Sequence, residues 1–155
     1  MVVQLTYNIV DEYLRGNFGR ASISCAAGSG GRAGTKTKNA TNWYLQNNAL
    51  ATHVHHGAHD YGPLPQGKYH MRPHESDKHM VRLDPFPSNI MHGRSGFLIH
   101  GRGKIGSHGC IVPYDFANVL KICRAVEIYQ HSHKTNPVLQ VIAVGTDVDR
   151  KFFTA

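Results

Sequence analysis

At 155 residues, 41% of them hydrophobic and only 17% charged, the chain has the make-up of one folded domain with a single core, not of a disordered chain. Its net charge is +7 with twelve histidines counted as neutral, which suits a polyanionic or acidic partner, and no apolar run is long enough to cross a bilayer as a helix. Sixteen glycines and seven prolines favour turns and short strands over long helices.

In chain order, Met1 to Asn8 lacks the basic start and apolar core of a signal peptide, so any target outside the cytoplasm is expected to be reached by another route. Val2-Val3-Gln4-Leu5-Thr6-Tyr7 reads as a first strand, and Arg20 to Ala26 as its antiparallel partner. The run Gly28-Ser29-Gly30-Gly31-Arg32-Ala33-Gly34 fits a surface loop, because it carries neither a P-loop nor a dinucleotide fingerprint ahead of a helix. Ala40 to Asn48 suits one or two helical turns. The patch His53, His55, His56, His59 and Asp60 is either a polar loop or a metal site; its spacing fits no standard ligand motif, so neither metal nor cofactor is expected. Three cysteines, Cys25, Cys110 and Cys123, form no disulfide framework, although Cys25 and Cys123 could pair.

Tyr61-Gly62-Pro63-Leu64-Pro65-Gln66-Gly67-Lys68-Tyr69-His70-Met71 is a rigid turn leading into a strand. His79 to Leu83 alternates as a strand, with Pro85 and Pro87 expected to stop it. Met91 to Gly96 is a turn that carries His92 and Arg94. The apolar run Phe97-Leu98-Ile99 then ends abruptly in His100. From Tyr114 to Tyr129, Phe116, Val119, Leu120, Cys123 and Val126 recur at helical spacing and define the expected buried face. His131 to Asn136 is a polar turn, and Pro137 to Val144 a final strand central to the sheet. The expected fold is one domain, 1–155, mainly β with one principal α-helix. It has no internal repeat.

The chemistry concentrates in His100-Gly101-Arg102-Gly103-Lys104-Ile105-Gly106-Ser107-His108-Gly109-Cys110-Ile111. A nucleophilic cysteine needs a base to take its proton and donors to hold the oxyanion it creates. His100, at a strand end, is the candidate base; His92, followed like His100 by glycine, is its rival. Cys110 is the candidate nucleophile, and Gly109 lets its backbone turn tightly.

Strand-His100-Gly101 followed by Ser107-His108-Gly109-Cys110-Ile111 resembles the signature of YkuD-type L,D-transpeptidases, cysteine enzymes of bacterial peptidoglycan. The short spacer, ten positions from His100 to Cys110, and the upstream Gly62-Pro63-Leu64-Pro65-Gln66-Gly67-Lys68-Tyr69 are more similar to a compact branch of type VI secretion effectors. The resemblance covers Tyr61 to Leu120. It implies an L,D-transpeptidase-like β-sandwich or barrel and L,D-carboxypeptidase or exchange activity on stem peptides. It implies Cys110 as nucleophile, His100 as base and the Gly101 carbonyl as the group orienting it. Gly109, with His108 and Ser107, would form the oxyanion turn. The chain departs from the housekeeping enzymes after the cysteine, where Ile111-Val112-Pro113 lacks their polar residue. Arg94, Arg102 or Lys104, with His92 nearby, are therefore the candidate substrate contacts.

By the same resemblance, the expected partners are peptidoglycan stem peptides, a cognate immunity protein and a component of a secretion apparatus. The expected destination is the periplasm of a target cell. Neither membrane insertion nor nucleic-acid binding is expected. The alternatives are a housekeeping cell-wall L,D-transpeptidase and a basic nucleic-acid-binding module, the latter lacking a recognition helix, zinc motif or aromatic RNP-like strand. A papain-like hydrolase fits less well, since its cysteine precedes its histidine.

Overall fold

A computed structural model describes residues 2–30, 63–101 and 109–144. Short β-branched and aromatic runs bounded by glycine, proline and asparagine give eight strands among these residues: β1 Leu5–Asn8, β2 Tyr13–Phe18, β3 Ala21–Ser29, β4 Gly67–Pro73, β5 Val81–Pro85, β6 Phe97–Ile99, β7 Ile111–Pro113 and β8 Val138–Ile142. The one helix, α1, spans Phe116–His133. The strands close into a barrel in the order β1-β2-β3-β7-β6-β5-β4-β8, so no strand among them keeps an unpaired edge. The pairs β1–β8 and β6–β7 are parallel and the rest antiparallel.

Alternation sets the inner face. Leu5 and Tyr7, Tyr69 and Met71, Val81 and Leu83, Phe97 and Ile99, and Leu139 and Val141 are all buried at period two. Helix α1 adds Val119, Ile122, Cys123, Ala125 and Val126 to the same cluster. It touches β2, β3, β4, β5 and β7, so one helix covers strands from across the barrel. Asp115 caps its start, accepting from Ala117 N at 3.0 Å, and Lys134 ends it in a left-handed conformation, φ 57°.

Side-chain amides tie the parallel β1–β8 seam at both ends. Gln4 Oε1 accepts from Val138 N at 2.7 Å, and Asn8 exchanges hydrogen bonds with Val144 N and O at 3.1 and 2.8 Å.

Several expectations need correction. β1 pairs not with the Arg20–Ala26 segment but with β2, a strand that Gly16 and Asn17 hide from pattern reading. Gly16 is required there, because a Cβ would strike the Gln4 carbonyl oxygen. Gly28 and Ser29 belong to β3, paired with Val112 and Ile111; Gly30 follows the strand at φ 85°, and residues 31–34 lie outside the described residues. Pro85 ends β5 from within rather than from outside. The helix starts at Phe116 and runs to His133, through half of the expected polar turn. Its buried face is rotated: Phe116 and Leu120 are 38% and 42% exposed, while Ile122 and Ala125 are buried. The histidine patch at residues 53–59 and the segment 40–48 lie outside the described residues.

Candidate active site

Two three-residue strands position the site. In the parallel β6–β7 pair, Ile99 stands opposite Ile111 and both are fully buried. Because side chains alternate, the residue after Ile99 and the residue before Ile111 both belong to the opposite, outer face. Those residues are His100 and Cys110, each half-buried. They are offset by two residues at the ends of adjacent strands, so their Cα atoms lie about 8 Å apart by strand geometry. His100 N donates to Ile111 O at 3.1 Å, which extends the ladder to the histidine itself.

His100 Nδ1 lies 2.8 Å from the Gly101 carbonyl oxygen. A carbonyl oxygen only accepts, so Nδ1 carries the proton in this contact. In the neutral ring Nε2 is then left with its lone pair free to receive one. Gly101 packs beneath the first residue of α1: a Cβ there would come within 2.5 Å of the Phe116 ring.

The turn before Cys110 is held by residues far away in sequence. Gly109 has φ 121°, a conformation L side chains rarely adopt. A Cβ on it would come within 2.5 Å of both Arg94 Nη2 and the Phe97 ring. Ser29, fully buried, donates from Oγ to Gly109 O at 2.9 Å and accepts from Leu64 N at 2.9 Å. One hydroxyl thus joins the end of β3, the segment before β4 and the cysteine turn. Arg94 sits behind the turn, donating from Nη1 to Pro63 O at 2.7 Å with its guanidinium 5.0 Å from the Phe97 ring centroid.

Burial pushes the Cys110 thiol above the ordinary thiol range. A hydrogen bond from the Leu98 backbone and the charges of Arg94 and Arg82 pull the other way without cancelling it. The resting group is therefore a thiol, and the arrangement suits proton removal during attack rather than a standing thiolate. Burial also raises Cys25, and pushes Cys123 up to about 11. None of the three cysteines is in a disulfide, so no Cys25–Cys123 bridge is present.

The other sequence candidates separate. His92 occupies an exposed turn at φ 54° and lines a groove with Gln66, Lys68, Phe86 and Asn89, a lining that includes neither His100 nor Cys110. Arg94 is 3% exposed and donates to Pro63 O, a position that braces the cysteine turn from behind. Ser107, His108, Arg102 and Lys104 lie outside the described residues. Two residues that sequence reasoning passed over belong to the site: Ser29, hidden in a glycine run, and Arg82, hidden in an ordinary strand pattern.

Against protein-family models, curated proteins and solved structures, the chain gives no match.

Proposed function

We propose that this chain is a cysteine-dependent enzyme of L,D-transpeptidase-like fold that cleaves peptidoglycan stem peptides as an L,D-carboxypeptidase. The observation that carries the reading is the placement of His100 and Cys110 on one outer face of adjacent parallel strands, with the Gly101 carbonyl oxygen on Nδ1.

His100 Nε2 takes the proton of Cys110 as Sγ attacks the carbonyl carbon of an amide that joins an L centre to a terminal D-amino acid. The tetrahedral oxyanion is held by N–H groups of the Gly109–Cys110 turn. The C–N bond breaks, and the proton passes from Nε2 to the departing amine. Water, deprotonated by the same nitrogen, resolves the thioester and regenerates the thiol. An amine in place of water gives transpeptidation.

In this reading the chain is an antibacterial effector of the type VI kind, delivered to the periplasm of a target cell and neutralised in the producer by an immunity protein. A housekeeping transpeptidase remains the neighbouring reading, and product analysis separates the two. Wild-type and Cys110→Ala proteins are incubated with purified muropeptides and the products read by mass. Loss of one terminal D-alanine with wild type alone supports the assignment. Equal turnover by Cys110→Ala, or no change in any species with wild type, refutes it.

A further inference from the structure

The outer face beside Cys110 carries a row of side chains that the steps above do not use. Register places Arg72 opposite Arg82, and Arg82 opposite Leu98. Since Ile99 faces Ile111 in the next pair, Leu98 is level with Cys110. Arg82 therefore stands two strand spacings from the cysteine on the same face, about 10 Å between backbones. Its charge is felt at the thiol.

The Arg82 guanidinium is aimed from one side. Glu75 accepts in a fork, Oε2 from Nε at 3.2 Å and Oε1 from Nη2. The His74 ring packs against Nη2, itself fixed because Nδ1 accepts the backbone N–H groups of Ser76 and Asp77 at 3.2 and 3.0 Å. Nη1 has no hydrogen-bond partner among the described residues, and the side chain keeps 23% of its exposure. One edge of a planar fork is thus spent on orientation, and the remaining donors are left open.

Two other cations among the described residues are already engaged. Arg94 is buried on Pro63 O, and Arg72 is paired with Asp84 at 2.5 Å. The residues after Cys110, Ile111-Val112-Pro113, are buried and uncharged.

We propose that Arg82 is the carboxylate anchor of this site, binding the free C-terminal carboxylate of the D-amino acid that leaves. The inference rests on the stem-peptide carboxypeptidase reading and names its specificity determinant. A leaving residue spans about 3.5 Å, which places its carboxylate between the thiol and the guanidinium, over Leu98. Glu75 is then a positioning residue, holding the fork toward the substrate.

The test compares a tetrapeptide stem ending in a free carboxylate with the same peptide ending in an amide. Wild type prefers the acid by about 10- to 100-fold in kcat/KM, the range of one charge-assisted hydrogen-bonded contact. Arg82→Gln loses that preference, chiefly through KM for the acid, and Arg82→Lys restores part of it. The acid-to-amide ratio cancels any change in thiol reactivity, because both substrates meet the same nucleophile. If Arg82→Gln, folded by circular dichroism, keeps the full preference while wild type is active, the anchor is refuted and the enzyme reading stands. If wild type turns over neither peptide, both fall. If wild type cleaves acid and amide equally, the anchor alone falls.

Discussion

Ser29 Oγ lies 2.9 Å from the carbonyl oxygen of Gly109, eighty residues further along the chain. Ser29 Oγ also accepts from Leu64 N, so Ser29→Ala removes two hydrogen bonds from a fully buried position. Each such loss costs about 1–3 kcal/mol. The two losses together should lower stability by roughly 2–6 kcal/mol in urea denaturation. It should also lower turnover at temperatures where the protein is still folded. Unchanged turnover by the folded variant would mean that the turn does not need this brace.

Gly109→Ala meets two obstacles at once, a positive φ and a Cβ directed at Arg94 and Phe97. The backbone must change or both side chains must move, and either displaces the sulfur. Turnover should fall at least about tenfold, in line with an incompatible φ together with overpacking. Gly19→Ala, also at positive φ but with open space around it, supplies the comparison: backbone strain without a clash, and no effect on the site.

The pH dependence of alkylation follows from burial. The Cys110 thiol is raised, so its reactivity with iodoacetamide should be low at neutral pH and climb through a midpoint above the ordinary thiol range. Arg82 opposes that rise, so Arg82→Gln should move the midpoint higher still. Cys123, buried and pushed up to about 11, should label last. Peptide mass mapping over a pH series distinguishes the sites, and a Cys110 midpoint below the ordinary range would contradict the arrangement.

Glu75 reports on how firmly Arg82 is held. The Arg82 hydrogen bonds lower its carboxyl from 4.5 to about 2. A lowered carboxyl contributes through its ionised form, so the pairing is intact above about 4.5 and is lost as pH falls toward 2. Carboxyl carbon shifts should titrate near 2 in wild type and near the ordinary value in Arg82→Gln.

Legibility in the sequence tracks how local the cause is. The strand Phe97–Ile99 and its terminal histidine were visible because three apolar residues end abruptly in a polar one. Helix α1 was visible by period, but its face was not. Phe116 is spent covering Gly101 at the site instead of the core, and Ile122 and Ala125 take the buried positions. β2 was missed because its central glycine exists for the sake of Gln4 on another strand. Ser29 reads as part of a surface loop; the neighbours that make it structural are Leu64 and Gly109, and no local pattern joins them. Arg82 looked like any outward strand residue, since only closure of the sheet sets it in line with Cys110. His100 and Cys110 stood out because they fall within one short motif.

The pairing of β6 with β7 is fixed by one matched couple, Ile99 and Ile111. A slip of β7 by a single step would turn its isoleucine outward and drive the sulfur into the barrel interior. Trimming Ile111 therefore loosens one of the ties, beside the β3 pairing and the Ser29–Gly109 bond, that set which side of the wall the nucleophile occupies, so a substitution that never touches substrate would lower activity by hiding the reactive atom.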